Sequence, residues 1–420
     1  MKVVIIGGGF GGLKLAGKLT NKKGFDVTLI DRFNFHQFQP LFYQVATAAL
    51  DASDISFPLR KAFHKENNIH FRMGVVTSVD VVNKKVITDK EEYTFDTLVI
   101  ATGADTNFFG NQQLIDHTFP MKSTLEALQI KYRLLQNMED ALYAKDEVEL
   151  ENLLTVVIVG GGPTGVEMSG AIADLRRFVL PKDYPEIDFS KMKIYLVEGS
   201  PKTLAAMSDK SSQDSLKYLK KLGVIVRTET TVKDYDGTTV TMKNGDKIDS
   251  CLVIWAAGIK GNVPEGIDKS MIVKGNRIKV DRYSAVAGLE NIYAIGDVAY
   301  METEKYPHGH PQVASVAIAE AKALGKNLLK MQMGQELIPF EYNDKGSMAT
   351  VGRNLAVVDI PKPKFHFGGF FAWMIWMGLH LFLLLGVKNR ISVFSNWIYN
   401  YMTYDQNLRL IFRPFYRPKV

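Results

Sequence analysis

The chain alternates short, wholly apolar runs with longer stretches of helical spacing, and the apolar runs stop at small or acidic residues. Val3-Val4-Ile5-Ile6 stops at a glycine triplet, Phe25-Asp26-Val27-Thr28-Leu29-Ile30 at Asp31, and Thr97-Leu98-Val99-Ile100 at Ala101-Thr102-Gly103. The pattern returns about 150 residues later. Val156-Val157-Ile158-Val159 meets a second triplet, Ile194-Tyr195-Leu196-Val197 ends at Glu198, and Val253-Ile254-Trp255 ends at Ala256-Ala257-Gly258. A further run, Ile292-Tyr293-Ala294-Ile295, closes on Gly296-Asp297. Continuous apolar runs of this length, bounded by turn signals, predict strands buried on both faces of parallel sheets. Leu125, Leu128, Tyr132, Leu135 and Met138 follow the spacing of one helical face, and they predict an amphipathic helix packed between two domains.

Each triplet opens a G-x-G-x-x-G sequence. The first is Gly7, Gly9 and Gly12, with Phe10 and Gly11 between; the second is Gly160, Gly162 and Gly165, with Pro163 and Thr164 between. Such a finger turns a strand tightly into a helix whose N-terminus faces a pyrophosphate. Among 34 glycines one finger alone is weak, so its context decides. Asp31 lies 24 residues beyond Gly7 and Glu198 lies 38 beyond Gly160, each at the tip of the following strand. A carboxylate there accepts the hydroxyl hydrogens of an adenosine ribose; a merely solvated acid is the alternative, and it weighs more on Glu198 with its longer spacing. Glu198 would also repel a 2′-phosphate, which favours NADH over NADPH, with Lys202 the one opposing charge. Two fingers imply two dinucleotides, and the usual reason is electron transfer between a nicotinamide and a flavin. Asp297 is placed for a ribityl hydroxyl and Gly296 for a diphosphate; a plain helix cap is the alternative for Asp297.

The order of elements implies a nested α/β fold of two Rossmann-like dinucleotide-binding domains, the nicotinamide domain inserted in the flavin domain. Expected bounds are 1–114 and 263–345 for FAD, 115–262 for NADH, and 346–420 for a helical membrane-association tail. At 420 residues with 46% hydrophobic content the chain is a large globular protein. The one cysteine, Cys251, reads as a buried strand thiol and excludes enzymes that pass electrons through a cysteine pair. The first strand starts at Val3 and leaves no room for a cleavable segment, so the enzyme body is expected to stay where it is made.

Charge changes the picture only at the end of the chain. Residues 361–420 carry eight Lys or Arg against Asp405 alone, while the rest is nearly balanced. There is no pattern calling for nucleic acid. Residues 370–387 run 18 positions without a formal charge, with His380 their only ionisable group, and Ile391, Phe394, Trp397, Ile398 and Tyr401 follow at helical spacing. Eighteen apolar residues are at the short edge for a spanning helix. Basic flanks and aromatic rings fit a hairpin lying at a lipid surface better than one crossing it; a buried dimer interface is the alternative. His308 and His310 without a third ligand read as surface residues, and no metal is expected.

The whole chain resembles the type II NADH dehydrogenases, which are membrane-surface NADH:quinone oxidoreductases that carry FAD and pump no protons. The resemblance rests on the two fingers, Ala101-Thr102-Gly103, Gly296-Asp297, the loop from Phe35-His36-Gln37 through Gln39-Pro40-Leu41-Phe42-Tyr43-Gln44, and the tail with Trp373, His380, Asn389-Arg390, Trp397 and Tyr401. It implies FAD on Gly7, Gly9, Phe10, Gly11, Gly12, Asp31, Arg32, Ala101, Thr102, Gly103, Gly296 and Asp297. It implies NADH on Gly160, Gly162, Pro163, Thr164, Gly165, Glu198, Ala257 and Gly258. Gln39 and Gln44 match a loop beside the flavin ring and the quinone entrance, and Glu167 matches a glutamate linking the two sites, although a first-turn acid also favours its own helix dipole. Where the family carries glutamines after Gly-Asp, this chain has Ala319 and Glu320, so the expected quinone region of Gln312, Ala314, Ser315, Ala319 and Glu320 departs from the pattern. A homodimer on the cytoplasmic face of the inner or plasma membrane is implied by resemblance alone. An NADH-dependent flavoprotein with another acceptor, and a non-turnover redox sensor, are the competing readings.

Overall fold

The computed structural model describes residues 1–412. Its contacts divide the chain into two compact units. The first comprises Met1–Gln37, Phe57–Asp105 and Ile259–Asp344; the second comprises Phe38–Ser56, Thr106–Gly258 and the chain from Lys345 onward.

In the first unit the apolar runs form a five-stranded parallel sheet, ordered Ile292–Ala294, Thr97–Ile100, Lys2–Ile6, Asp26–Asp31, Ile69–Met73. Val3 pairs with Val27 on one side and Thr97 on the other, so the finger strand is central. Alternate residues go to opposite faces. Val3 and Ile5 pack with Leu15, Leu19, Leu324 and Leu328 beneath the helices Phe10–Leu19 and Ala314–Gln332. Val4 and Ile6 pack with Val79 and Val86 of a small antiparallel sheet. Both faces are covered, which is why the strands are apolar throughout.

The second unit repeats this plan. Its parallel sheet is ordered Phe119–Pro120, Leu252–Trp255, Val156–Val159, Ile194–Val197, Ile225–Arg227, and again the finger strand is central. Val157, Val159, Val253 and Trp255 pack on Val232, Tyr235 and Val240 of another antiparallel sheet. The predicted amphipathic helix exists as Thr124–Ala141. Its inward face agrees with the expected one at Leu135 and Met138, which are buried, but it is broadened by Ala127, Ile130 and Leu134, and Leu125 is 55% exposed. Spacing identified a helix, but the neighbouring helix Phe42–Ala46 and the strand Leu252–Trp255 select which side faces inward. Cys251 is half-buried just ahead of its strand, and burial pushes its thiol pKa up, so it stays protonated.

The tail is a three-stranded antiparallel sheet, Ser347–Gly352, Leu355–Ile360 and Phe365–Gly368, followed by two helices, Phe370–Leu383 and Val387–Thr403. The 18-residue apolar run is therefore not one helix. It breaks after Leu383, where Leu384 is extended and Gly386 has φ 83°. No helix among the described residues is long and apolar enough to cross a membrane. Ala372, Trp376 and His380, four residues apart, face inward, and Ala372 packs on Ala356 and Val358. Val393 and Trp397 do the same from the second helix. Phe371, Phe382, Val387 and Met402 point outward and are each more than 70% exposed. The basic residues Arg413, Arg417 and Lys419 lie outside the described residues.

The sheet docks on the helix Pro163–Phe178 through one glycine. A Cβ placed on Gly170 would lie 1.9 Å from the Val351 carbonyl oxygen, so the contact requires a bare backbone there. Gly170→Ala should overpack this seam and destabilise the second unit by about 1–3 kcal/mol. A drop in its thermal midpoint against wild type, followed by circular dichroism, would check this; an unchanged midpoint would show that the seam yields freely.

Candidate functional site: two glycine cradles and a cavity under the tail

The two fingers are built alike, and the atoms say what each glycine does. A Cβ on Gly12 would stand 1.8 Å from the Gly7 oxygen, and one on Gly165 would stand 1.9 Å from the Gly160 oxygen. Those glycines let helix touch strand. Gly7 (φ +106°) and Gly160 (φ +113°) turn the chain against the carbonyls of Ala101 and Ala256, which explains the small-residue endings of the neighbouring strands. Gly9 and Gly162 are different. Their backbones are extended with negative φ, and a Cβ on either meets no atom within 4 Å. The protein itself has no need of glycine there, so the open space fits a ligand that approaches the backbone. Each glycine is also the N-cap of its helix with no side-chain cap, and a helix N-terminus of this kind suits an anion.

The strand-tip acids close each cradle. Asp31 Oδ2 accepts from the Gly8 amide at 2.6 Å and Oδ1 from Phe33 at 2.7 Å; Glu198 Oε2 accepts from Gly161 at 2.5 Å and Oε1 from Ser200 at 2.6 Å. Burial raises the Asp31 pKa, opposed by these amides and by Arg32. Lys202 is paired with Asp209 at 2.5 Å. Arg32 is exposed and lies over the Phe33 ring. His36 was not singled out in the sequence, yet its Nδ1 meets the Gly8 oxygen at 3.0 Å and its ring packs edge-on against Phe10. Burial lowers its pKa, so a neutral imidazole braces the first finger. Pro163 and Thr164 begin the second finger's helix and are exposed, as is Gly258; Ala257 packs partly into the core.

In the first unit the Thr102 hydroxyl donates to the Asn262 carbonyl at 2.5 Å, and the Asn262 amide returns a bond to Gly103 at 3.0 Å. Gly296 begins a short turn with Asp297. Here the structure corrects the expected quinone region. Glu320 is 2% exposed; its Oε2 accepts from the Gly296 amide at 2.7 Å and its Oε1 lies 3.2 Å from His310 Nδ1. Both oxygens are engaged inside the protein, so Glu320 holds the Gly-Asp turn from below and does not face a ligand. Burial raises its pKa, with His310 and Arg277 opposing. Nor is His310 a surface residue: it is 1% exposed, against Tyr306 and Phe340, while His308 is exposed as expected. Gln312 precedes the helix Ala314–Gln332 and donates to the Asp297 carbonyl at 2.8 Å. Ser315 is engaged by the Tyr342 hydroxyl at 2.8 Å; Ala314 and Ala319 are partly exposed along the same helix. Among the described residues no cluster of side chains has the composition of a metal site.

The second unit holds a cavity of about 140 Å³ lined by Tyr43, Gln44, Glu167, Asp174, Arg353 and Trp397, among others. The loop and tail meet here. Trp397 Nε1 donates to Gln44 Oε1 at 2.7 Å, Gln44 Nε2 to the Tyr43 hydroxyl at 2.9 Å, and that hydroxyl lies 3.1 Å from Thr350 Oγ1. The Thr350 amide in turn points at Glu167 at 3.4 Å. Gln39, by contrast, is exposed in a single 3-10 turn, so the structure separates it from Gln44. Glu167 lines the cavity and is partly buried. Burial pushes its carboxyl up to about 8, against the Thr350 amide and the Trp376 indole. A glutamic acid that is protonated at neutral pH beside an enclosed space can act as a proton donor. His380 cannot share that role, because burial pulls its pKa down to about 4.

A second set of polar contacts holds this wall in place. Asp54, buried, accepts from Ser392 Oγ at 2.6 Å and from Asn396 Nδ2 at 2.9 Å. Asn389 donates to the carbonyls of Ser53, Asp54 and Ser56, and Asn400 to that of Ala49. One face of the last helix thus reads backbone and carboxylate of residues 49–56.

Comparison with known proteins agrees with this geometry. Residues 1–321 match the family model for pyridine nucleotide-disulphide oxidoreductases, and residues 345–404 match the NDH2 C-terminal domain. The type II NADH:quinone oxidoreductase Ndh of Mycobacterium tuberculosis is 35% identical over 96% of this chain and 88% of its own length. The type II NADH:quinone oxidoreductase of Haemophilus influenzae is 30% identical over 84% of this chain and 86% of its own. NDH2 from Plasmodium falciparum, solved in complex with NADH, superposes with a TM-score of 0.89 over 98% of this chain and 99% of that one; at 22% identity this likeness speaks for the fold. With both its fold and its tail matched along nearly the full length, the chain belongs to the type II NADH:quinone oxidoreductase family of enzymes.

Proposed function

We propose that the first cradle holds FAD, the second holds NADH, and the chain oxidises NADH and reduces a membrane quinone without moving protons across the membrane. The observation that carries this reading is the pair of central glycines, Gly9 and Gly162, which face open space at two uncapped helix ends. When bound, FAD supplies a ring that accepts hydride from a nicotinamide and passes electrons on in pairs. The chain's own part is to bind and to position. Asp31 and Glu198, fixed by the amides of Gly8 and Gly161, hold the two riboses. Gly296 and Asp297, held from below by Glu320, take the flavin's diphosphate and ribityl chain. The carboxylate of Glu198 and the pairing of Lys202 with Asp209 favour NADH over its 2′-phosphate.

The cavity of the second unit takes the quinone head, with Gln44 as its polar contact and Glu167 as the proton donor to a carbonyl oxygen. The outward row of Phe371, Phe382, Val387 and Met402 lies at the lipid surface, where a quinone dissolves. Homodimer formation and a cytoplasmic-face location belong to the same reading. A non-quinone acceptor is less well supported: the replacements at Ala319 and Glu320 were its main argument, and Glu320 serves the Gly296 turn instead.

Two measurements test this. Gly9→Ala should purify folded but with little bound flavin, and Gly162→Ala should keep its flavin while the KM for NADH rises at least tenfold, because neither Cβ meets a protein atom. Loss of flavin from both variants, or from neither, would undo the assignment; the flavin absorbance per chain and the NADH titration decide. Glu167→Gln should slow quinone reduction by roughly 10²–10⁴-fold at pH 7 while leaving NADH-driven flavin bleaching in place. With the carboxyl at about 8, the donor form predominates below that pH and is lost above it. Wild-type quinone reduction should therefore decline as pH rises through 8, and the glutamine variant should show no such decline in stopped-flow traces.

A further inference from the structure

Resting on that reading of Glu167, we propose that Asp174 is a second proton carrier, taking a proton from solvent and passing it through the cavity water to Glu167. The chemistry calls for such a group. Reducing a quinone to a quinol consumes two electrons and two protons; hydride from NADH brings both electrons and one proton, so one proton per turnover comes from water. Glu167 gives its proton to a quinone oxygen and must then be reloaded from outside.

The placement of Asp174 suits it for the reloading. Glu167 and Asp174 are seven residues apart on the helix Pro163–Phe178, two turns and about 10 Å along one face. Both line the same cavity, with Ala171 between them. At about 140 Å³, and with Tyr43, Gln44, Glu167 and Asp174 set in an otherwise mostly apolar wall, this cavity has room for several waters along its polar side. Beyond Asp174 on the same helix comes Phe178, whose ring lies 4.9 Å from that of Tyr404, and Tyr404 is 42% exposed. Tyr404 lines the cavity too, so Asp174 lies on the side of Glu167 nearer this exposed residue.

Its fixed partner leaves it free to exchange. Among the described residues, Asp174 Oδ2 accepts from a backbone amide, that of Arg353, at 2.8 Å. The Arg353 guanidinium lies against the rings of Tyr401 and Tyr404 at 4.1 and 3.7 Å and donates to the Asn400 carbonyl. The charges acting on Asp174 are Arg353 and Arg177. Facing Glu167 are the Tyr43 hydroxyl, the Thr350 amide and the Trp376 indole. Burial holds Asp174 at about 6 and Glu167 at about 8, so a proton moves downhill from the first to the second.

The test compares two acceptors in the flavin-loaded enzyme. Ferricyanide takes electrons without protons, whereas a short-chain quinone needs both. Asp174→Asn, which can still accept the Arg353 amide, should lower the kcat for quinone at least tenfold at pH 7, leave its KM within twofold, and leave the ferricyanide rate within twofold. Added imidazole, small enough to enter and able to carry a proton, should restore part of the quinone rate. Ala171→Leu, which fills the path and leaves both carboxyls in the chain, should give the same split and guards against a folding defect in the first variant. If Glu167→Gln is slow but both of these variants match wild type, the second carrier is refuted while Glu167 stands. If Glu167→Gln is also unimpaired, the reading of Glu167 falls with it. An equal drop with both acceptors and no rescue by imidazole would make Asp174 structural and overturn the proposal.

Discussion

The rest of this molecule depends on one contact made twice, a helix pressed so closely onto a strand that no Cβ fits between them. Gly12 against Gly7 and Gly165 against Gly160 leave under 2 Å for a side chain. Because the helix must start at that point, its N-terminus opens at the end of the central strand, in line with the tips where Asp31 and Glu198 sit. Neighbouring strands have to end in small residues, since the turning glycines rest on the carbonyls of Ala101 and Ala256. A single steric requirement thus places the helix end, the acid and the small-residue turn together, once in each unit.

This explains why so much of the fold and of the two cradles could be read from the chain. Glycines that no other residue can replace, and strands with both faces covered, leave marks in sequence that do not depend on distant partners. The sides of elements were harder. The helix Thr124–Ala141 was recognised by its period, but Leu125 points outward because the choice of face belongs to what packs on it. Glu320 and His310 misled for the same reason. A glutamate standing where the family has a glutamine looks ligand-facing, and a histidine in a loop looks solvent-facing, until the fold brings them together beneath Gly296. Asp54 and the row Asn389, Ser392, Asn396 and Asn400 are separated by more than 330 residues, a pairing to which local pattern is blind.

The same blindness to distant pairing hid how the cavity wall is made. Gln44 was expected near a site, but the residue that orients it, Trp397, comes from the last helix. Asp174 gave no motif at all. Its significance lies in sharing a helix face with Glu167 and in the enclosure that the tail provides. Burial then supplies what no sequence pattern encodes, two carboxyl groups raised toward neutral pH, of which Glu167 holds its proton there.

The last two helices have opposite tasks on their two sides. Trp376 and Trp397 face inward and complete a core, while Phe371, Phe382 and Met402 face outward. For anyone wishing to handle the protein without detergent, this separates two operations that look equivalent. Cutting off the tail would strip Gln44 of its indole partner and Asp54 of its hydroxyl and amide donors, and would leave residues 38–56 without a floor. Replacing the outward phenylalanines and methionine with polar residues would remove the greasy surface and keep the floor, so solubility is better engineered by repainting this segment than by shortening it.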